Sequence, residues 1–309
     1  MNTAALGKFY EQLCEDGCVR SESWPLSDIT PESIGLFRDA SGFVRPSLPF
    51  DVIDRREFLE ISGCPGTSLT VVLSTRSTNT DLMDEGRESN IHLRTHLAEH
   101  QIGGRGRRGR NWISPLGRSL SISVGYESSL SMQRLQGISL VAGVALCSVF
   151  RSEGGRNCRL KWPNDVLFDH KKVSGILVEH QNSKRVNRFV VGVGINTDLT
   201  DDEKSSVNQP VCNVTDAGVL ISRTKLAALV VKELFASLAT FERSGFGSFR
   251  DRYVSMHALH DRDVRVQLDQ GAETLGVVRG IGDDGSLIVE TPSGLQSFVS
   301  GEVSVRKVR

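Results

Sequence analysis

The spacing of apolar residues changes character twice along the chain. In the first fifty residues, Leu6, Phe9, Tyr10 and Leu13 fall on one helical face, and Gly17 would stop that helix. Thr30 offers an N-cap and Pro31 the first helical position of a short helix running through Ile34, Leu36 and Phe37. Gly42, Pro46 and Pro49 then break the pattern, and a linker runs through Phe50. From Leu69 the period becomes mixed. Ser68–Ser74 reads as a buried, β-branched strand, and a helix starts over Thr78–Met83. Leu120–Val124 alternates as a strand. Leu135, Ile138, Val141, Ala142, Ala145 and Leu146 recur at helical spacing. Arg159–Trp162 predicts a further strand, closed by a turn at Pro163-Asn164-Asp165. Val173–Glu179 and Phe189–Asn196 predict two paired strands. Lys225–Phe241 carries Leu226, Leu229, Val230, Leu234 and Leu238 on one side of an amphipathic helix. After Arg262 short alternating runs (Val264, Val266, Leu268; Leu287, Val289) are punctuated by glycines, which predicts a small β-barrel tail of about 50 residues.

Composition narrows this picture. The chain has 309 residues, 37 Lys+Arg against 37 Asp+Glu, 39% hydrophobic and 24% charged residues. That is ordinary globular usage and excludes a disordered or repeat-built chain. The length fits two or three domains. Zero net charge argues against a surface that is all basic footprint. The uncharged run Leu135–Phe150 spans 16 residues, short for a membrane crossing of about 20. Met1–Gly17 has no apolar signal core. The six cysteines form no C-x-x-C pair and no zinc spacing. A cytoplasmic chain with free thiols, no membrane partner and no protein-held metal centre is expected.

Local charge changes the picture. Gly104-Arg105-Gly106-Arg107-Arg108-Gly109 matches G-x-G-x-x-G, but Asn111-Trp112-Ile113-Ser114-Pro115 follows instead of a helix, so the dinucleotide fingerprint fails. Four arginines within six residues, spaced by glycine, instead make a loop able to wrap phosphate or carboxylate oxygens. Like-charge repulsion and backbone entropy should leave it mobile until a ligand orders it. Trp112 beside it is placed to close over an aromatic ring or to join the core. Lys161-Trp162-Pro163-Asn164-Asp165 puts a lysine, an amide and a carboxylate at one turn. Lys172 stands at the start of a buried strand, beside Gly175. Gly192-Val193-Gly194-Ile195-Asn196 clears a strand face and ends in an amide.

Taken in order, Ser77-Thr78-Asn79, GRGRRGRNW, KWPNDV, KKVSGILVE and GVGIN resemble the sequence blocks of the biotin protein ligases, over about Leu69–Arg309. Gly301–Arg306 resembles that family's ending. The resemblance implies an α+β fold: a central mixed β-sheet ligase domain, class II synthetase-like, with a C-terminal SH3-like β-barrel and a small, mainly helical N-terminal domain. The expected divisions are 1–49, 50–260 and 261–309. It implies ATP-dependent activation of biotin to biotinyl-5′-AMP, then transfer to a lysine of a biotin carboxyl carrier protein. Ser77, Thr78, Asn79, Gln101, Gly104, Gly106, Gly175 and Gly192 would form the biotin site. Arg105, Arg107 and Lys172 would also face biotin and act catalytically on the activated phosphate. Arg107, Arg108, Arg110, Trp112, Lys161, Asn164, Asp165 and Asn196 would bind ATP, with Asn164 and Asp165 towards the phosphates and Mg²⁺.

The family includes bifunctional repressors with an N-terminal winged helix, and the stretch from Phe50 to Ile61 resembles their joining region. Residues 1–49, however, carry four basic and seven acidic residues, a net of −3, and Thr30–Asp39 is short for a recognition helix. A reduced winged-helix-like segment packed on the ligase is expected rather than a DNA reader. Relatives pair through sheet edges, so the resemblance also admits a homodimer.

Overall fold

The computed structural model describes residues 3–25, 30–47, 51–182, 186–268, 273–299 and 303–307. Three sheets form among them, of three, seven and five strands. The N-terminal unit holds helix α1 (Thr3–Asp16), ended by Gly17 in the left-handed region (φ 67°), and strands β1 (Val19–Arg20), β2 (Leu36–Arg38) and β3 (Phe43–Pro46) in the order β1-β3-β2. Here the reading of residues 30–37 as a helix is corrected. Pro31–Ile34 makes only a 3-10 turn, Gly35 ends it at φ 86°, and Leu36 starts a strand that pairs with residues 44–46. Those partners lie beyond Gly42, outside any window in which periodicity could reveal them. Residues 48–50 and 301–302 lie outside the described residues, and with them the expected 49/50 boundary and the start of the family-like ending.

After α2 (Arg55–Ser62), capped by the Asp54 carboxylate, come β4 (Leu69–Thr75), α3 (Thr78–Glu85), β5 (Thr95–Gln101), β6 (Ser119–Ser128), α4 (Ile138–Ser152), β7 (Cys158–Lys161), β8 (Asp165–Phe168), β9 (Lys171–Asn182) and β10 (Asn187–Asn196). Their order is β4-β5-β6-β10-β9-β8-β7, parallel at β4–β5 and antiparallel elsewhere. After α5 (Asp201–Ser205), α6 (Arg223–Ser244) packs beside α4, and α7 (Gly247–Met256) follows. The tail strands β11 (Asp263–Leu268), β12 (Glu273–Ile281), β13 (Leu287–Thr291), β14 (Gly294–Phe298) and β15 (Val303–Lys307) form an antiparallel sheet in the order β14-β13-β12-β11-β15.

The central and tail units share one apolar core, from Phe58 through Val141 and Leu234 to Val266, Val278 and Val289. Trp162 ties them further, its indole N–H donating to the Gly285 carbonyl at 3.0 Å. A second cluster joins Phe9, Leu13, Val19, Ile34, Leu36 and Val44 to Leu73 of β4 and Leu116. Beneath it lies a fully buried carboxylate, Glu99. It accepts from Tyr10 Oη (2.5 Å), the Ile53 amide (2.8 Å) and Arg223 Nη2 (2.7 Å), so each oxygen is satisfied and the charge is paired. The Tyr10 hydroxyl pKa is raised above its ordinary value by burial and by the Glu99 charge. No helix among the described residues is long and apolar enough to cross a membrane, and all six cysteines are free.

Candidate active site

A cavity of about 1080 Å³ opens on the face of β6, β10 and β9. The strand period explains why it is there. Gly192 and Gly194 are two apart on β10 and point to the same side, and Gly194 pairs in register with Gly175 of β9. The missing side chains make two shelves. Asn79 lies over Gly192, where a Cβ would sit 2.8 Å from its amide nitrogen. Trp112 lies over Gly194, where a Cβ would meet indole Cζ2 and Nε1 at 2.5 and 2.6 Å, with Gly175 3.1 Å from Cζ3 by the same construction.

One end of the cavity is neutral and polar. Ser77, Thr78 and Asn79, at the start of α3, are buried. Gln101 Oε1 accepts from the Thr78 amide at 2.9 Å and from its hydroxyl at 3.2 Å. Ser123 Oγ lies 2.7 Å from Thr78 Oγ1 and 2.6 Å from Asn79 Oδ1. Asn79 Nδ2 donates to Glu179 Oε2 at 2.8 Å and to the Leu177 carbonyl at 3.3 Å.

The Arg/Gly segment is a closed hairpin rather than an open basic arm. Residues Arg105 and Asn111 form an antiparallel bridge, and the Gly106 amide donates to the Arg110 carbonyl at 2.7 Å. Arg108 and Gly109 turn the tip with φ of 57° and 68°. Gly104 has room for no side chain beside Gln101 and Trp112. Arg105 Nη2 reaches Thr80 Oγ1 (3.0 Å) and Glu179 Oε1 (3.1 Å), and Arg107 Nη1 reaches Asn164 Oδ1 (3.5 Å). Arg108 and Arg110 are exposed at the cavity mouth.

The other wall holds the second cationic group. Lys172 Nζ is 2.6 Å from Asp165 Oδ1, both largely buried, and 5.4 Å from the centre of the Trp112 ring. Asn164 knits its turn to β9: its Nδ2 donates to the Ile176 carbonyl at 2.8 Å, and its own carbonyl accepts from the Ile176 amide at 2.9 Å. Lys161 lines the cavity beside them. Asn196 lies in the wall with its amide spent internally, on the carbonyls of Lys172 and Cys212 at 3.3 Å each. The Trp112 indole N–H is buried and has no hydrogen-bond partner among the described residues.

Every residue named from sequence therefore converges on one cavity, Gly104 from just behind its lining. Two features had no counterpart in that reading. Glu179 was visible as the end of the KKVSGILVE block but had no role. The segment 206–211 forms a wall and is held by hydrogen bonds across Lys172, from its amide to the Pro210 carbonyl and from the Cys212 amide to its carbonyl. Nothing in its composition marks it.

Residues 71–196 match the Biotin/lipoate A/B protein ligase family, and residues 259–306 match the Biotin protein ligase C terminal domain. The chain is 32% identical over 260 residues to the Bifunctional ligase/repressor BirA of Escherichia coli (strain K12), covering 84% of this chain and 79% of that one. It is 32% identical over 266 residues to the Biotin--[acetyl-CoA-carboxylase] ligase of Mycobacterium tuberculosis, covering 82% and 95%. Among solved structures, a biotin protein ligase from Aquifex aeolicus in complex with biotin and ATP superposes with a TM-score of 0.65 at 26% identity, over 78% of this chain and 99% of that one.

Proposed function

The chain belongs to the biotin protein ligases, and from that premise we propose how its own residues divide the reaction. The ligase couples ATP to the joining of biotin to a carrier protein. The observation that carries the assignment is the meeting of three chemistries in one cavity: a neutral polar end, a basic hairpin, and a lysine held between them by a carboxylate.

The neutral end, Ser77, Thr78, Asn79 and Gln101, suits the ureido ring of biotin, which is uncharged and carries both donors and acceptors. Its glycine-cleared floor admits the fused rings. The biotin carboxylate then lies towards Lys172. There it must approach the α-phosphate of ATP, and two anions repel. Lys172, with Arg105 and Arg107 of the hairpin, supplies positive charge where negative charge gathers on the α-phosphorus, so that attack by the carboxylate is stabilised and pyrophosphate leaves. Asp165 holds Lys172 ready and keeps its charge balanced before substrate arrives. No side chain need act as a nucleophile, because the carboxylate attacks first and the carrier lysine amine second. Holding the partners together supplies much of the rate. Trp112, laid on the Gly194 shelf, gives the adenine a flat face. The Asn164 and Asp165 oxygens suit a hard cation, which takes one or two carboxylates plus phosphate oxygens. Mg²⁺ held there would neutralise phosphate charge.

The test is pyrophosphate release that requires both biotin and ATP, followed by biotin transfer to a carboxyl-carrier domain in the cytoplasm's reducing conditions. Arg107→Ala and Lys172→Ala should each lower the rate about 100-fold or more, the scale of losing one transition-state donor. Full activity in both variants would overturn the assignment. We propose further that the N-terminal segment, 1–49, is a reduced winged-helix-like part of the ligase, not a DNA reader. The apolar face of α1 is spent on β4, and residues 31–38 form a turn and a strand. A salt-sensitive, sequence-specific gel shift with biotin and ATP present would refute this.

A further inference from the structure

Glu179 lies at the junction of the neutral pocket and the basic hairpin. Its carboxylate accepts from Asn79 Nδ2 at 2.8 Å on one side and from Arg105 Nη2 at 3.1 Å on the other. An ionised carboxylate can only accept. It therefore dictates which end of the Asn79 amide faces it: Nδ2 must point to Glu179, and Oδ1 is driven towards Ser123. Oδ1 has no hydrogen, so at 2.6 Å the shared proton belongs to Ser123. Ser123 directs its single proton there, and the Thr78 hydroxyl, 2.7 Å from Ser123 Oγ, gives its own to Gln101 Oε1 at 3.2 Å. The order Ser123 to Asn79 to Glu179 follows from acceptors that cannot donate, the Glu179 carboxylate at 2.8 Å and, at the longer 3.3 Å, the Leu177 carbonyl. With Asn79 reversed, Oδ1 would face the carboxylate, and two acceptors would meet without a proton.

We propose that Glu179 is a positioning residue for the biotin site. It sets the donor and acceptor order of the pocket floor through Asn79, and it docks the first arginine of the hairpin beside that floor. This rests on the reading of the neutral end as the biotin site. Because it holds Asn79 at the ring end and Arg105 of the hairpin, its loss should weaken biotin capture and also slow the chemical step that Arg105 serves.

The experiment is steady-state pyrophosphate release by the full chain, with biotin and ATP varied separately. Glu179→Gln removes the charge and can turn an N–H onto Asn79; Glu179→Ala removes both bonds. The biotin KM should rise roughly tenfold in the first and more in the second, in line with the loss of a charge-assisted hydrogen bond. kcat should fall as well, because Arg105 loses its dock, and the ATP KM should change less than the biotin KM. Tryptic cleavage in the hairpin should become several-fold faster. Ser123→Ala, a mild change at a buried hydroxyl, frees the other end of Asn79 and should also raise the biotin KM; it carries the test if the Glu179 variants fail to fold. A biotin KM within twofold of the parent, or a loss confined to kcat, would overturn the proposal. A parent protein that neither binds biotin in calorimetry nor releases pyrophosphate with it would overturn the functional reading itself, and this one with it.

Discussion

Replacing Gly194 by Ala tests whether the bare strand face is what places Trp112. The new Cβ would stand 2.5 Å from indole Cζ2 and 2.6 Å from Nε1. Carbon atoms in ordinary contact lie about 3.5–4.0 Å apart, so the ring must retreat by roughly 1 Å or more. It has little freedom to slide. The Trp112 amide donates to the Gly104 carbonyl at 2.9 Å, and Gly175 bounds the other edge of the ring. The indole must therefore tip into the cavity, away from Lys172 and across the proposed nucleotide site. Stacking of a base on an aromatic ring is worth about 1–3 kcal/mol. The ATP KM should therefore rise between about fivefold and 150-fold, with the biotin KM changed less than threefold. Indole fluorescence should shift in the unliganded protein. Gly280→Ala is the control, because a Cβ there meets nothing within 4 Å. An unchanged ATP KM and an unchanged emission spectrum in the Gly194 variant would show that Trp112 is not held by this shelf.

Three further outcomes follow from the packing. Tyr10→Phe removes one donor from buried Glu99 and should cost about 1–3 kcal/mol, while Arg223→Met leaves that carboxylate unpaired and should cost about 3–5 kcal/mol; urea unfolding reads both, and equal, negligible losses would refute the network. Burial holds His100 and His257 neutral, with pKa values pushed down from 6.5 to about 4 and about 3. Below pH 6.5 the unfolded chain takes up protons that the fold refuses, so stability falls as pH drops from about 6.5 towards 4, by about 2 kcal/mol for each histidine at pH 5; urea midpoints that stay level from pH 7 to pH 5 would refute this. Trp162→Phe removes the bond to Gly285 and should speed amide hydrogen exchange in β11 and β12 before it does so in β6.

What could be read from the sequence divides along the distance over which each feature is determined. The strands β4, β6, β9 and β10 and the helices α4 and α6 carry their period within a window of a few turns. The glycines at 175, 192 and 194 announced a cleared face, and the arginines at 105–110 a polyanion. Residues 36–46 were hidden because Ile34, Leu36 and Phe37 fit a helix locally, while the pairing that makes β2 and β3 lies across a turn. The Lys172–Asp165 pair was hidden because only the β8–β9 turn brings them together. Glu179 was hidden for the same reason, since its partners at 79 and 105 are remote in sequence. The local reading found the chemical groups, and the long-range pairing determined which of them hold one another.

The tail shares its core with the central unit, and this bears on how such chains can be recombined. Val264, Val266, Val278 and Val289 bury against the same continuous interior as Phe246 and Leu140, and Gly285 rests on the backbone at Gly137. A tail borrowed from a relative would arrive with one half of a matched surface. Chimeras should therefore tolerate a junction within the N-terminal unit better than one near residue 260, and drift at positions 137, 140 and 246 should be tied to drift in the tail.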